Sequence, residues 1–211
     1  MRPLASDFYE RPVLEVAREL IGCTVEHDGV AGVIVETEAY HESEPACHAF
    51  VGLTPRTSTL FGAPGRAYVY CSYGIHAMLN AVCEPEGVAA AVLIRALHPL
   101  AGLEQMRARR GGAGAVGAAS EEDLAGGAAG RMRLEDRDLC SGPGKLTQAL
   151  GITLAENGGC LSSGPVRIWP RARDWRDPRV LTGTRIGISH AVELPWRFCV
   201  ADSLHVSRPR L

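Results

Sequence analysis

The chain has 211 residues, of which 46% are hydrophobic and 22% charged, and its formal net charge is −2. This composition is typical of a soluble globular protein with a full hydrophobic core, and it excludes an intrinsically disordered chain. The near-neutral total also excludes a surface that is basic everywhere, as in a general nucleic-acid binder. The charge is uneven, however, because residues 1–60 carry −6 and residues 131–211 carry +5.

The N-terminal part of the chain predicts one helix followed by a β-hairpin. The helix is expected over residues 11–21, with Pro12 in its first turn and Gly22 as its C-terminal stop. Runs rich in β-branched residues at 23–27 and 30–40, separated by an Asp-Gly turn, predict the hairpin. Further strands are expected at residues 67–73, 75–82 and 88–97.

A second helix and a low-complexity segment follow these strands. The helix is expected over residues 99–110, with Leu100, Leu103 and Met106 on one side. Residues 111–130 contain seven Gly and seven Ala in twenty positions, a composition that predicts a flexible loop.

The C-terminal part predicts one short helix and several short strands. The turn at 141–144 is expected to cap a helix over 145–150, which Gly151 closes. Strands are expected near residues 166–169, 184–189 and 197–200. Strands dominate the middle of the chain and βαβ alternation is absent. The sequence therefore predicts a single α+β domain over residues 1–211, with a curved antiparallel β-sheet flanked by helices.

Two carboxylates and a phenol share one face of the second hairpin strand. Strand periodicity places Glu36, Glu38 and Tyr40 on the same side, beside a hydrophobic run. One interpretation is a solvated sheet face, since acidic residues are rarely buried. The other is a general base in a partly apolar cleft, its pKa raised by desolvation.

The segment 66–74 contains three of the five tyrosines of the chain. Tyr68 and Tyr70 share one strand face, and Tyr73 follows at the strand end, before a glycine. These rings could form cross-strand aromatic packing or a surface on which nucleobases stack.

Two polar residues lie inside apolar strands. Arg95 must be paired if it is buried, and its partner could be a carboxylate such as Glu38 or a phosphate. Asn80 could be a satisfied core amide or a group that reads hydrogen-bonding edges.

Other polar clusters are weaker candidates for ligand sites. A zinc site at His41, Cys47 and His48 is conceivable, but the spacing fits no regular ligand pattern, so no metal is expected. The glycine turn before Lys145 could bind an anion or merely cap its helix. Six arginines in residues 167–185 could contact phosphates or form a solvated loop.

Several common classes lack sequence support. Motifs for nucleotide hydrolysis, dinucleotide binding and serine-esterase chemistry are absent, and no cofactor is expected. No apolar run is long enough to span a membrane, and the N-terminus does not read as a signal peptide. The seven scattered cysteines contain no CxxC pair. We expect them to be reduced in a cytoplasmic protein, associated with the nucleoid if the chain is bacterial.

Several strings together resemble one known family. They are VETEAY (35–40), a loop ending in His48, TPR (54–56), PGRAYVYCSYG (64–74) with Asn80 beyond it, VLIRAL (92–97), PLAGLEQMR (99–107), DRDLCSGPGKLTQALGI (136–152) and RIGISHA (185–191). Their order and spacing resemble the alkyladenine DNA glycosylase family, also called the 3-methyladenine or methylpurine DNA glycosylases. The resemblance extends from about residue 8 to residue 200.

The resemblance implies a DNA repair enzyme that initiates base excision repair. Members of this family flip a damaged purine out of duplex DNA and hydrolyse its N-glycosidic bond, which releases the free base. Lesions that fit the family are 3-methyladenine, 7-methylguanine, hypoxanthine and ethenoadenine. The implied enzyme is monofunctional, and a lyase step, which normally needs an amine, is not expected because Lys145 is the only lysine. The implied partner is duplex DNA with damaged purines, bound by a monomer without a membrane.

The resemblance also implies roles for individual residues. Glu38 matches the general base that activates the attacking water, and Arg95 matches the arginine that positions this water and the phosphate of the nucleotide. Tyr73 matches the tyrosine that is wedged into the duplex, and Asn80 matches the amide that disfavours guanine. The residues that match the contacts of the flipped base are Tyr40, His48 and Tyr70. Arg56, in the TPR string, is expected to contact DNA.

Two other functions fit parts of the pattern. The same pocket could recognise lesions or nucleic acid without hydrolysis, as a binding module. The α+β sheet and basic C-terminal part would also suit an accessory domain related to tRNA or formyl transfer, although the ETEAY and YVYCSYG strings argue against it.

Overall fold

A computed structural model describes residues 2–112 and 134–211 of the chain. Almost all of the predicted Gly/Ala-rich loop at 111–130 lies outside these residues. Within the described ranges, no helix is both long enough and apolar enough to cross a membrane.

Helices and strands alternate irregularly along the chain. The helices are α1 (Ser6–Tyr9), α2 (Val13–Glu19), α3 (Leu103–Gly112), α4 (Asp136–Leu139) and α5 (Pro143–Leu150). Short 3₁₀ turns lie at His48–Val51, Ser58–Phe61 and Leu154–Glu156. The strands are β1 (Thr24–His27), β2 (Val30–His41), β3 (Ala67–Ser72), β4 (His76–Val82), β5 (Ala90–Ala101), β6 (Arg167–Trp169), β7 (Val180–Gly183) and β8 (Arg197–Val200).

The strands of the described chain form one curled antiparallel sheet. Its main order is β3-β4-β5-β2-β1-β6, and β8 pairs with both β2 and β7. The long strands β2 and β5 lie side by side at its centre. The fold is therefore the α+β domain with a curved antiparallel sheet that the sequence predicts.

A local irregularity in the central pair bears on the site. The register passes from Ile34 opposite Leu97 to Glu36 opposite Ala96, and then to Thr37 opposite Ile94, so it skips Val35 and Arg95. Shifts of this kind bend a strand and re-aim its side chains. Here the shift lies where Arg95 meets the carboxylates of β2.

One face of the sheet packs against the helices. Helix α2 buries Val13, Val16 and Ala17, and helix α5 buries Leu146 and Leu150 in the same core. Each fully buried leucine contributes about 1.5–3 kcal/mol of hydrophobic free energy. Gly151 ends α5 in the left-handed conformation (φ 74°), which confirms the predicted stop.

One predicted helix begins too early, and one predicted strand is wrong. Strand β5 continues through Pro99 to Ala101, and α3 begins only at Leu103, so Leu100 belongs to the strand and is exposed. The helical spacing of the apolar residues misled the prediction, because pairing with β2 continues to Ala101 and the chain turns at Gly102 (φ 74°). The predicted strand at 184–189 is a loop that follows the end of β7 at Gly183. In this loop the backbone N–H of Ile186 donates to the Glu38 side chain.

Candidate active site

A cleft of about 500 Å³ opens beside β3, β4 and the ends of β2 and β5. Seven of the eight site residues predicted from the sequence line it: Tyr40, His48, Arg56, Tyr70, Tyr73, Asn80 and Arg95. Residues 186–190 also line it, and the sequence assigned all but the last of them to a strand. The eighth residue, Glu38, lies beneath the cleft surface and has no exposed area.

Glu38 is held by three donors in the interior. Its Oε2 accepts hydrogen bonds from the Tyr40 hydroxyl (2.8 Å) and from Arg95 Nη1 (3.1 Å), and its Oε1 accepts one from the backbone N–H of Ile186 (2.7 Å). This burial excludes the solvated-face interpretation of the β2 carboxylates. Tyr40, Arg95 and Ile186 all line the cleft and are thus the residues that connect Glu38 to it.

Arg95 is buried between two carboxylates. Besides its contact with Glu38, its Nε donates to Glu36 Oε1 (3.2 Å), so the carboxylate alternative for its partner is confirmed. Burial by itself would lower the pKa of Arg95, but the charges of Glu38 and Glu36 outweigh it and raise that pKa. The guanidinium is therefore a permanent cation at the cleft floor.

Aromatic rings form one wall of the cleft. Tyr68 and Tyr70 stack with ring centroids 5.5 Å apart, and His48 meets Tyr70 edge-on at 4.6 Å. Burial and the neighbouring Tyr68 raise the pKa of Tyr70 to about 12, so its ring carries no charge at neutral pH. Burial and the charge of Arg56 lower the pKa of His48, which keeps it neutral. The wall therefore consists of uncharged aromatic rings, two of them stacked and one set edge-on to them.

Tyr40 is fixed by its neighbours. Burial and the adjacent Glu38 raise the pKa of Tyr40, so the phenol stays protonated and donates a hydrogen bond to the carboxylate. The guanidinium of Arg185 lies 4.7 Å from the Tyr40 ring centroid and forms a two-point pair with Glu44 at 2.7 and 2.9 Å. Arg185 is buried, so it does not belong to the exposed basic patch suggested for residues 167–185.

Asn80 is buried and lines the cleft. Its amide nitrogen donates to the backbone carbonyls of Tyr68 (3.1 Å) and Met78 (3.2 Å). A side chain anchored in this way cannot swing aside for a bulky ligand.

Tyr73 projects from the tip of the β3–β4 hairpin, where 90% of its surface is exposed. Tyr73 and Gly74 both have positive φ angles (50° and 74°), as expected for the tight turns that match the twist of a hairpin. A bulky residue is uncommon in this conformation, and such strain is frequent at functional sites. The turn thus presents one large aromatic ring to solvent at the mouth of the cleft.

Arg56 also lies at the mouth of the cleft. Its guanidinium is 5.9 Å from the Tyr70 ring centroid, and its Nη2 is 3.4 Å from His48 Nε2.

The residues considered for a zinc site have different partners, and so does the lysine considered for an anion site. In residues 2–112 and 134–211, no three side chains of the metal-ligating types come together. His41 Nε2 instead lies 3.5 Å from Glu84, whereas Cys47 packs in a buried apolar cluster. Lys145 points its amine to the Ser141 hydroxyl at 3.4 Å.

Several contributors to the site were missed by sequence reasoning. The backbone N–H of Ile186 binds Glu38, and Arg185 pairs with Glu44. Arg185 and Ile186 belong to the RIGISHA string, which was the only sequence signal for these contacts. Ser207, which contacts Arg95 and Glu36, had no signal at all.

Comparison with known proteins gives a consistent result. The family model described as methylpurine-DNA glycosylase (MPG) matches residues 7–204. Curated relatives bear the name "Putative 3-methyladenine DNA glycosylase". One from Rhodopseudomonas palustris (strain ATCC BAA-98 / CGA009) is 50% identical, over 96% of this chain and 86% of its own. One from Bradyrhizobium diazoefficiens is 50% identical, over 99% and 92%. One from Granulibacter bethesdensis is 48% identical, over 96% and 86%.

Proposed function

From the premise that this chain belongs to the methylpurine-DNA glycosylase family, we propose that it flips a damaged purine into the described cleft, with Glu38 as the general base. The protein is a DNA-3-methyladenine glycosylase, a hydrolase of base excision repair that acts on alkylated purines. The observation that carries the proposed mechanism is the buried Glu38–Arg95 pair beneath a cleft with an aromatic wall. The cleft and all of these residues come from one chain, so we propose that a monomer is active.

The aromatic wall suits a flipped purine. The cleft volume of about 500 Å³ lies in the range of small-molecule sites. Extruding a base costs a few kcal/mol, and stacking on Tyr40 and Tyr70 offsets this cost by about 1–3 kcal/mol per ring. An alkylated purine with a positive charge is not repelled by His48, because that ring is neutral.

Glu38 and Arg95 are assigned to the hydrolysis itself. Glu38 accepts a proton from a water whose oxygen forms the new bond to the sugar C1′. The N-glycosidic bond breaks, its electron pair leaves with the purine, and the products are the free base and an abasic site. The proton on Glu38 then passes to solvent when the lesion was cationic, and a neutral lesion gains one proton as it leaves. The carboxylate also stabilises the positive charge that develops on the sugar. Because Glu38 is enclosed, the water must reach it between Tyr40, Arg95 and Ile186.

Asn80 is assigned to selection against normal guanine. Its side chain is anchored by two hydrogen bonds to the backbone, so it would crowd the exocyclic amino group of guanine in the cleft. Purines without that group, such as 3-methyladenine, hypoxanthine and ethenoadenine, would enter freely. We also place 7-methylguanine in the range, because its weakened glycosidic bond compensates for poorer binding.

A panel of duplex oligonucleotides, each with one lesion, tests the proposed function. We expect the purified wild-type chain to release free base from 3-methyladenine and from at least one other lesion of the four. Activity should persist in EDTA. Wild-type protein that binds these duplexes but releases no base would refute the proposed mechanism.

Replacing Tyr73 with alanine is expected to lower base release from fully paired duplexes by about 10- to 100-fold. The ring is the exposed group that would fill the gap left by the flipped base, a gap worth a few kcal/mol of lost stacking. Single-turnover rates on a lesion in duplex and in single-stranded DNA measure the effect, which should be small on the single strand. Y73F is the matched control and should retain the duplex rate. Equal rates for Y73A and wild type on the duplex would exclude the wedge role.

Strand cleavage through a Schiff base is not expected. The only lysine, Lys145, is directed to Ser141 and does not line the cleft. Treatment of the reaction with borohydride should therefore trap no covalent protein–DNA adduct, and K145Q should release base at the wild-type rate. A trapped adduct that disappears in K145Q would contradict the monofunctional mechanism.

A further inference from the structure

We propose that Ser207, in the C-terminal segment of the chain, is a positioning residue for base release. Its hydroxyl links Glu36 to Arg95 and thereby fixes the guanidinium against Glu38. This inference rests on the proposed function, since it concerns the orientation of the group that serves the general base.

The argument begins with Glu36, which has no exposed area. Its Oε1 accepts from Arg95 Nε (3.2 Å), Arg197 Nε (2.6 Å) and the Ser207 hydroxyl (2.9 Å). Its Oε2 accepts from the backbone N–H of Ser207 (2.7 Å). Of the residues that donate to Glu36, only Arg95 lines the cleft, whereas Tyr40, Arg95 and Ile186, which donate to Glu38, all line it. Glu36 is thus a structural carboxylate, in contrast to Glu38.

The donor groups of Arg95 show what Ser207 adds. A guanidinium has five N–H groups in a fixed plane. Three of them are directed to protein acceptors: Nε to Glu36, Nη1 to Glu38 and Nη2 to the Ser207 hydroxyl at 3.2 Å. One N–H on each Nη remains, and these two are the donors that Arg95 can offer to a water or a phosphate in the cleft. Because the fork is rigid, the three internal bonds determine where the two remaining donors point.

Ser207 is well held in this place. Its hydroxyl accepts a hydrogen bond from Arg95 and donates one to Glu36, so a single orientation of the hydroxyl makes both contacts. The segment around it is anchored, because Val206 is buried and the His205 ring stacks on His98 of β5 at 4.1 Å. Arg197 also donates to the Pro209 carbonyl (2.8 Å). The C-terminal segment therefore contacts Arg95 and Glu36 without lining the cleft itself.

Removing the hydroxyl should affect Arg95 more than the fold. In S207A the backbone N–H still binds Glu36 Oε2, and Arg197 and Arg95 Nε still bind Oε1. Arg95 Nη2 alone loses its acceptor, which leaves the guanidinium free to tilt. Small errors in the position of such a group can slow a reaction by up to about 100-fold.

The experiment compares S207A, S207T and S203A with wild type. Ser203 is the matched control, because it lies in the same segment and its hydroxyl accepts a hydrogen bond from the backbone N–H of His205 (3.3 Å). Single-turnover base release from a 3-methyladenine or hypoxanthine duplex gives the rate, equilibrium binding to the same duplex gives the Kd, and circular dichroism on heating gives Tm.

We expect S207A to lose about tenfold or more in rate while its Kd stays within about threefold, since the lost interaction serves the reaction rather than binding. S207T restores the hydroxyl and should recover most of the rate, and S203A should match wild type. Equal rates for S207A and S203A would overturn the proposal. So would a parallel loss of rate and affinity, an S207T no faster than S207A, or an S207A chain that does not fold. Wild type without activity on any lesion would instead refute the proposed function, and this inference with it.

Discussion

Replacing Glu38 with glutamine is expected to lower the single-turnover rate of base release by about 100- to 10,000-fold, the usual contribution of a general base. Binding to lesion-bearing duplex DNA should be retained, because the stacking rings and Tyr73 are unchanged. The amide cannot accept the proton of the attacking water, and it also loses the negative charge beneath the sugar. Rate and Kd on the same duplex measure the two effects separately.

The substitution also has a structural cost. The Glu38 carboxylate faces donors on both sides, Ile186 N–H at one oxygen and Arg95 at the other, so the NH₂ group of glutamine must meet one of them. We expect a loss of about 1–3 kcal/mol in the free energy of unfolding, as for an unsatisfied buried group. E193Q, at an exposed position, is the matched control and should leave rate and stability unchanged. An E38Q protein that is folded and releases base at the wild-type rate would contradict the assignment of Glu38.

Replacing Arg95 with methionine is expected to affect stability and activity together. The cation lies between two carboxylates without exposed area, and removing one partner of a buried ion pair typically costs about 3–5 kcal/mol. Glu36 keeps Arg197 and Ser207, whereas Glu38 loses its cation and keeps the Tyr40 hydroxyl and the Ile186 N–H. Base release should fall to the background rate, because the two free donors of the guanidinium are lost as well.

Denaturant unfolding and single-turnover kinetics test this expectation. R137M is a suitable control, since Arg137 pairs with Glu135 at the surface and such pairs contribute about 0–1 kcal/mol. R95K should keep the positive charge but not the three hydrogen bonds to Glu36, Glu38 and Ser207. It should therefore be more stable than R95M but still release base more slowly than wild type. An R95M chain as stable as R137M would show that the Glu36–Arg95–Glu38 cluster is not the buried ion pair described above.

The local signals of the sequence were reliable where neighbouring residues determine the structure. The β1–β2 hairpin follows from two β-branched runs around a two-residue turn, and α5 ends at the predicted glycine. The errors arose where distant strands determine the structure. Leu100 is spaced from Leu103 and Met106 as in a helix, but residues 99–101 pair with β2. The backbone N–H of Ile186 binds Glu38 instead of a neighbouring strand.

The site shows the same division. Strand periodicity placed Glu36, Glu38 and Tyr40 on one face, and the family motifs pointed to the residues that line the cleft. Neither could distinguish the two glutamates by environment. Both are buried, but Glu36 binds two arginines and Ser207, whereas Glu38 is connected to the cleft through Tyr40, Arg95 and the Ile186 N–H.

The α+β class, the family and the candidate residues follow from the amino-acid sequence, because periodicity, turn residues and motifs depend on residues that are close together in the chain. The folded chain was needed to show that Glu38 lies beneath the cleft, that Arg185 is buried and that Ser207 meets Glu36 across 171 positions of the chain. Burial and hydrogen-bond partners depend on which distant segments pack together, and the shifted register of β2 and β5 has no local signature. For this reason the motifs identified the candidate groups of the reaction, while the packing of the C-terminal segment shows how one of them is held.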